Sequence, residues 1–72
     1  MTKIYNVDNE LIIDEPSLNL KEAVEKHNNK LKNADLRGAD LFNANLYRAN
    51  LKGADLKDTI LTNTILTDAI LD

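Results

Sequence analysis

From residue 34 onward, leucine returns at every fifth position, and a small residue stands two places before each one. The leucines are Leu36, Leu41, Leu46, Leu51, Leu56, Leu61, Leu66 and Leu71, and the small residues are Ala34, Ala39, Ala44, Ala49, Ala54, Thr59, Thr64 and Ala69. On an α-helix a five-residue step turns by about 500°, so the leucines would scatter around the axis. On a straight strand they would alternate between the two faces. A chain that turns a corner every five residues keeps them on one side, so this pattern predicts a solenoid.

The tandem units of residues 34–58 read ADLRG ADLFN ANLYR ANLKG ADLKD, and they resemble the pentapeptide-repeat family. The resemblance extends over residues 34–72 and implies a mainly β fold, the right-handed quadrilateral β-helix with four five-residue faces per coil. Leucine and alanine lie inside such a fold. At about twenty residues per coil, this region is expected to form about two coils, stacked about 4.8 Å apart.

Residues 1–33 lack the repeat and predict an N-terminal cap made of a β-hairpin and an α-helix, as in small bacterial and phage members of the family. KIYNV and ELIID flank the dipeptide DN, which favours a two-residue hairpin turn because Asp and Asn tolerate positive φ. Pairing around this turn sets Asn6 opposite Leu11 and Ile4 opposite Ile13. One face of the hairpin then carries Ile4, Leu11 and Ile13, and Pro16 ends the second strand.

The segment SLNLKEAVEKHNNKLKN predicts a three-turn amphipathic helix. Ser17 and Asn19 are both candidate N-caps, and Asn19 with Glu22 has the spacing of a capping box. An apolar stripe follows at helical spacing, formed by Leu20, Ala23, Val24, His27 and Leu31. Because His27 lies on this stripe near the helix C-terminus, a packed or carbonyl-capping histidine is favoured over a catalytic one. Hairpin and helix would bury the open end of the first coil, so 1–33 and 34–72 are expected to form one compact domain.

Two aromatic residues and a set of acidic residues are the candidate partner-binding positions. Phe42 and Tyr47 occupy equivalent outward positions on neighbouring faces of the first coil, above threonines of the second. One interpretation is local packing against the N-terminal segment, and the other is a pair that binds a protein partner. The acidic candidates form a strip of four residues, Asp55, Asp58, Asp68 and Asp72.

The last units, TILTN TILTD AILD, replace the outward Asp or Asn by isoleucine. One explanation is β-propensity, because Ile and Thr suit strands. The other is an apolar belt around a coil that no polar cap follows, whose exposed core and unpaired backbone would favour aggregation unless covered. Members of the family often dimerise through their C-terminal ends. We therefore predict a homodimer through the C-terminal coil, with an interface of Ile60, Ile65, Ile70, Leu66 and Leu71.

No catalytic, cofactor-binding or metal-binding residue is predicted. The chain has no cysteine, which excludes disulfides and thiolate sites, and its single histidine cannot build a His-rich metal site. We find neither a nucleophile with a nearby base nor a glycine-rich phosphate loop. Asp35, Asp40 and Asp55 share their place in the unit with Asn45 and Asn50, which favours a structural acceptor at a turn over paired carboxylates or a Ca²⁺ site. The chain is therefore not expected to be an enzyme.

Composition narrows the functional classes without naming a target. The 72 residues carry a net charge of −3, which argues against direct binding to nucleic acid. No apolar run reaches the length of a membrane span, and the N-terminus is too polar for a signal peptide. Together with the absence of cysteine, these features lead us to expect a soluble protein of the cytoplasm.

Three functional hypotheses follow. The first is a non-catalytic protein–protein interaction module of unknown partner, for example a phage or mobile-element inhibitor of a host enzyme. The second is a DNA mimic that acts on DNA gyrase or topoisomerase IV, as some members of the family do; residues 34–72 hold six acids against four bases, which is far less charge than duplex DNA carries. The third is a purely structural or assembly protein.

Overall fold

Helices and strands lie in the N-terminal part of the chain, and a repeating turn follows them. The computed structural model describes residues 2–72. Strand β1 spans Thr2–Tyr5, strand β2 spans Leu11–Glu15, helix α1 spans Leu20–Lys26, and a 3₁₀ turn spans Asn28–Lys30. The two strands pair antiparallel to form a two-stranded sheet.

From residue 34 onward, the chain stacks on itself with a repeat of twenty residues. Around each of the first three bridges, three backbone hydrogen bonds join the stacked segments. At the first one, the N–H groups of Leu36 and Gly38 donate to the carbonyls of Asp55 and Lys57 (3.0 and 2.9 Å), and the N–H group of Asp55 donates back to Ala34 (2.9 Å). The isolated parallel bridges are Asp35–Asp55, Asp40–Ile60, Asn45–Ile65 and Asn50–Ile70, which confirms the predicted twenty-residue register. We call residues 34–53 the first tier and residues 54–72 the second tier.

Each five-residue unit ends in a corner with left-handed backbone. The φ values at these corners lie between 58° and 73°, at Asn33, Gly38, Asn43, Arg48, Gly53, Asp58, Asn63 and Asp68. Glycine, asparagine and aspartate adopt this region at the lowest cost, which explains their presence at every corner except Arg48. In five units the Asp or Asn side chain accepts a hydrogen bond from the backbone N–H two residues later, as Asp40 does from Phe42 (3.1 Å). The structural role predicted for the recurrent Asp and Asn is thereby confirmed.

The hydrophobic core lies inside the first tier. Its buried residues are Ala34, Leu36, Ala39, Leu41, Ala44, Leu46, Ala49 and Leu51, and the N-terminal segment adds Ile4, Ile13, Ala23, Val24 and Leu31. The second-tier leucines Leu56, Leu61 and Leu66 are only half-buried, and Leu71 is 50% exposed. Leu71 is exposed although leucine is predicted to lie inside, because its unit is the last one and is stacked on one side only within the described residues.

Two threonines take the place of alanine in the second tier and tie it to the first. The Oγ1 of Thr59 donates to the Leu36 carbonyl (2.8 Å), and the Oγ1 of Thr64 donates to the Leu41 carbonyl (2.6 Å). A hydroxyl group that is partly buried would be costly without such an acceptor. The threonines therefore do more than favour strand conformation, since each adds a hydrogen bond between the tiers.

The hairpin confirms one part of the predicted register and corrects another. Ile4 pairs with Ile13 as predicted, but Leu11 pairs with Tyr5 rather than with Asn6, because the register shifts between Ile4 and Tyr5. Such a bulge leaves one residue of β2 without a partner and reverses the side on which the residues beyond it lie. Leu11, predicted to share the face of Ile4 and Ile13, is consequently 48% exposed, while the other two are buried.

Helix α1 begins where the sequence predicts and ends earlier. Asn19 is the N-cap: its Oδ1 accepts from the Glu22 N–H (2.8 Å), and the Glu22 carboxylate accepts from the Asn19 N–H (3.0 Å). The helix makes about two turns instead of three, because the chain tightens into a 3₁₀ turn at Asn28. The Asn28 carbonyl then accepts from the N–H of Asn50 in the first tier (2.9 Å). The end of the helix thus contacts the edge of the repeats directly.

Candidate interaction surface

The two candidate aromatic residues lie on the outside of the first tier, next to helix α1. Phe42 is 46% exposed and Tyr47 is 45% exposed. Phe42 lines a groove of about 310 Å³ together with Asn19, Leu20, Lys21 and Asp40, and Tyr47 lines one of about 390 Å³ together with Glu25, Asn28 and Asn45. Each ring therefore borders the N-terminal segment and is also accessible to another molecule, so both interpretations of the pair still stand.

Polar contacts fix the backbone around Tyr47. The Glu25 carboxylate accepts from the N–H of Asn45 (2.7 Å), and the Asn28 side-chain amide donates to the Tyr47 carbonyl (3.2 Å). The Arg48 guanidinium carbon lies 5.1 Å from the centroid of the Tyr47 ring, in cation–π range. Arg48 itself occupies a left-handed corner (φ 59°), which a long side chain adopts at a cost. The ring is thus accessible and held by its immediate neighbours.

The four acidic candidates are distributed over separate units of the repeat. Asp55 lies beside Arg37, whose Nε is 3.8 Å from the Asp55 carboxylate. Asp58 and Asp68 occupy corners of different units, and Asp72 is exposed in the last unit. Within residues 2–72, no hydrogen bond or shared cation joins these four side chains to one another.

Arg37 joins the two tiers in an ion-pair cluster that the sequence analysis missed. Its guanidinium donates two hydrogen bonds to the Asp35 carboxylate (2.9 and 2.8 Å) and also lies near Asp55. The hydrogen bonds from Arg37 lower the pKa of Asp35, while the same bonds and the nearby Asp55 raise the pKa of Arg37. Because Asp35 and Asp55 are bridged directly, Arg37 offsets the repulsion between two stacked carboxylates. The sequence did contain a signal for this cluster. Asp35 and Arg37 are two residues apart and so share a face, and the twenty-residue stacking adds Asp55 to it.

A second cluster ties strand β2 to the end of helix α1. The Glu15 carboxylate contacts His27 Nε2 by a short hydrogen bond and lies 3.1 Å from Lys26 Nζ. The hydrogen bond with His27, followed by that with Lys26, lowers the pKa of Glu15. His27 is half-buried on the apolar stripe, as predicted, but its carboxylate partner was missed. No spacing in the sequence indicates this pair, because the turn after Pro16 determines it.

Comparison with known families identifies the repeats. Residues 27–58 match the family model described as pentapeptide repeats (8 copies). Residues 27–58 carry pentapeptide repeats. Pentapeptide repeats imply a β-helix type of fold, in agreement with the twenty-residue stacking. Neither a curated protein nor a solved structure gives a significant match to this chain.

The matched pentapeptide repeats begin upstream of residue 34, where the repeat was predicted to start. Leu31 is fully buried and Asn33 has a corner φ of 61°, so the unit around Leu31 already has the inward leucine and the corner. The Asn33 N–H donates to the Lys52 carbonyl (2.8 Å), which is the same spacing as in later units. The signal in the sequence was the position of Leu31, five residues before Leu36. It was missed because Leu31 also fits the apolar stripe of the predicted helix.

The last pentapeptide units leave an apolar belt and an open backbone edge. Ile60, Ile65 and Ile70 are 47%, 47% and 49% exposed, which confirms their predicted outward orientation. The second-tier N–H groups that would continue the stacking have no backbone acceptor among residues 2–72, namely those of Leu56, Asp58, Leu61, Asn63, Leu66, Asp68 and Leu71. The dimer that would cover this edge stays a prediction.

In the described part of the chain, no group of three or more His, Cys, Asp or Glu side chains is arranged to hold a metal ion. The α-helix found there has seven residues, and no helix among residues 2–72 is long and apolar enough to cross a membrane.

Proposed function

We propose that this chain is a non-catalytic protein–protein interaction module, a small rigid solenoid that binds a macromolecular partner. The observation that carries the proposal is the fixed, half-exposed presentation of Phe42 and Tyr47 on a hydrogen-bonded scaffold. Pentapeptide repeats are consistent with an interaction or structural module.

The rigidity of the scaffold is what makes it suitable for binding. We infer a right-handed quadrilateral β-helix of about two coils, capped by the hairpin and the helix, because parallel bridges and corners recur at regular intervals. A backbone that is already ordered loses little conformational entropy on association. Aromatic side chains add contact area at a low entropic cost as well. Recognition by Phe42 and Tyr47 therefore does not require the protein to fold on binding.

A homodimer through the C-terminal coil is part of this proposal. A second copy would cover Ile60, Ile65, Ile70, Leu66 and Leu71 and would pair the open backbone edge, which otherwise favours aggregation. Light scattering should report a dimer for the native protein and a monomer for Ile65→Asp. Asn43→Asp is the matched control, because it adds the same charge at a first-tier corner. A native protein that is monomeric at micromolar concentration would contradict the dimer.

Capture of partners from a bacterial lysate tests the interaction function. The native protein is compared with a Phe42→Ala/Tyr47→Ala variant and with a Lys52→Ala/Lys57→Ala control, and each captured protein is then purified for a binding measurement. Loss of the aromatic pair should weaken binding by about 2 kcal/mol or more if it is a hot spot, whereas the lysine control should bind normally. Equal affinity of all three proteins would reject the aromatic surface.

DNA mimicry receives less support from the charge distribution. Arg37 compensates Asp35 and Asp55, so the acidic charge that remains on the repeats is sparse. A DNA gyrase supercoiling assay distinguishes the two functions, and an absence of inhibition at micromolar concentration would dismiss the mimic. A purely structural role would be favoured if no partner is captured.

A further inference from the structure

The N-terminal cap leaves one unit of the first tier uncapped. In the second tier, the N–H groups of Asp55, Ile60, Ile65 and Ile70 all donate to first-tier carbonyls. Three of the four equivalent first-tier donors find acceptors in the cap: Asp35 donates to the Tyr5 carbonyl (2.8 Å), Asn45 to the Glu25 carboxylate (2.7 Å) and Asn50 to the Asn28 carbonyl (2.9 Å). The fourth is Asp40, and nothing among residues 2–72 accepts a hydrogen bond from its N–H group.

Two carbonyl groups beside this N–H are free as well. At a complete bridge between the tiers, two carbonyls of the second tier also accept hydrogen bonds. The carbonyls of Asp55 and Lys57, for example, accept from N–H groups of the first tier. The equivalent carbonyls in the uncapped unit belong to Asp40 and Phe42, and neither has a donor within residues 2–72. The edge formed by residues 40–42 therefore keeps one donor and two acceptors, which are the groups that one added strand would use.

The side chains around this edge have a defined chemistry. Phe42 is exposed, Leu20 is half-buried beside it, and both line the groove of about 310 Å³ that also contains Lys21. Lys21 has no ion-pair partner in the described residues, and the Asp40 carboxylate already accepts from the Phe42 N–H. Lys3, which likewise has no such partner there, lies with Leu20 along the neighbouring groove. The edge is thus apolar at its centre, with the Lys21 ammonium on one side and the Asp40 carboxylate in the same groove.

We infer that the edge formed by residues 40–42 docks an extended peptide segment of a partner protein as a short added strand. A peptide carbonyl accepts from the Asp40 N–H, an aliphatic side chain packs on Phe42 and Leu20, and an acidic side chain faces Lys21. In this mode the backbone hydrogen bonds contribute affinity, and alternate side chains contribute specificity. The inference rests on the proposed interaction function and assigns the chemistry of the partner. The cap accepts from the equivalent N–H groups of the other three units, so Asp40 is the position at which a strand can be added.

Titration with peptides, followed by the amide signals of the whole ¹⁵N-labelled chain, tests this inference. The probe is a pool of acetylated pentapeptide amides Glu-X-Thr-X-Glu, in which X is Val, Ile, Leu or Phe. We expect shifts at Asp40 and Phe42 and slower hydrogen exchange at the Asp40 amide. Lys21→Glu should weaken binding about tenfold, as expected for reversal of an exposed ion pair. The matched control is Lys52→Glu, which makes the same charge change two units after Phe42 in the repeats. This variant should bind the peptides like the native chain.

Three results would overturn the inference: no shift at Asp40 with millimolar peptide, shifts centred on the second-tier isoleucines instead, or equal weakening by both lysine substitutions. A pool with lysine in place of glutamate supplies a further check, because it should prefer the Lys21→Glu variant. The proposed function is judged separately, by capture of a partner that depends on Phe42 and Tyr47. Captured partners without peptide binding at Asp40 would reject the edge and leave the interaction module in place.

Discussion

The first tier (residues 34–53) and the second tier (residues 54–72) are built from the same five-residue unit and differ in what lies on either side. Leu41 and Leu46 are fully buried, whereas Leu61 and Leu66 at the equivalent positions are half-buried. The first tier lies between the cap and the second tier, and the second tier has a neighbour on one side only within the described residues. Burial in the stacked repeats therefore depends on the tiers above and below rather than on the unit itself.

The largest expected effect compares Leu41→Ala with Leu61→Ala. Truncating the fully buried Leu41 should lower the free energy of unfolding by about 3 kcal/mol, because it leaves a cavity. Truncating the half-buried Leu61 should lower the free energy of unfolding by about 1 kcal/mol, since less buried apolar area is lost. Urea denaturation followed by circular dichroism measures both. If the loss for Leu61→Ala approached that for Leu41→Ala as the protein concentration rose, another copy would be burying Leu61, as the proposed dimer requires.

The corners offer a second comparison, because Gly38→Ala and Gly53→Ala place the same methyl group at similar positive φ values. Gly38 has open space around it, so the strain of the left-handed backbone alone should cost about 1 kcal/mol. At Gly53 the added carbon would collide with the Asn33 side-chain oxygen, and turning that side chain away should add about 0.5 kcal/mol, so a total cost of about 1.5 kcal/mol is expected. Thermal unfolding measures the difference. A Gly53→Ala/Asn33→Gly double variant should recover the excess, because glycine removes the side chain and keeps the left-handed corner at position 33 unstrained; failure to do so would contradict the collision.

The hydrogen bonds between the tiers can be weakened without removing apolar volume. Thr64→Val keeps the shape of the side chain and removes the hydroxyl that donates to the Leu41 carbonyl. A loss of about 1 kcal/mol is expected in chemical denaturation. Thr62→Val, at an exposed position of the same tier, is the control and should change stability little. If both substitutions had the same effect, the hydroxyl of Thr64 would not be holding the tiers together.

The smallest effect concerns the contact between β2 and α1 within the cap and depends on pH. The pKa of Glu15 is lowered in the folded state, by His27 first and then by Lys26, so its contribution to stability is complete above the ordinary value of about 4.3. That contribution is lost as pH falls through the lower folded value. Stability measured between about pH 5 and pH 3 should thus fall more steeply for the native chain than for Glu15→Gln. Glu10→Gln makes the same charge change in the hairpin and should leave the slope unchanged; an identical slope for Glu15→Gln would contradict the cluster.

The stacking of the repeats could be predicted from the sequence because one inward residue and one permissive corner recur in each unit. Leu36 and Gly38 already indicate both, and adding twenty gave the bridge partner correctly at Asp35, Asp40, Asn45 and Asn50. The outward isoleucines followed from the same register. These features are local in origin, so a single sequence contains enough information for them.

The cap and its contacts could be predicted only in part. Asn19 and Glu22 form the expected capping box, but the bulge that turns Leu11 outward depends on how the hairpin packs on the first tier. The contact between Glu15 and His27 depends on the turn after Pro16. The Asp40 N–H, which has no acceptor within residues 2–72, reflects the angle at which the cap meets the repeats. No periodicity encodes that angle, so these parts of the candidate site required the structure.

The interlocking of residues twenty apart determines which changes of length the repeats tolerate. Deleting one residue near Ala44 would move every later leucine out of its column, exchange corners for straight segments and misalign each hydrogen bond to the tier above. Removing or duplicating twenty consecutive residues would instead restore the same alignment one tier nearer or further from the cap. Insertions and deletions in this part of the molecule are therefore compatible with the stacking when they comprise twenty residues, whereas the gain or loss of a single residue is not.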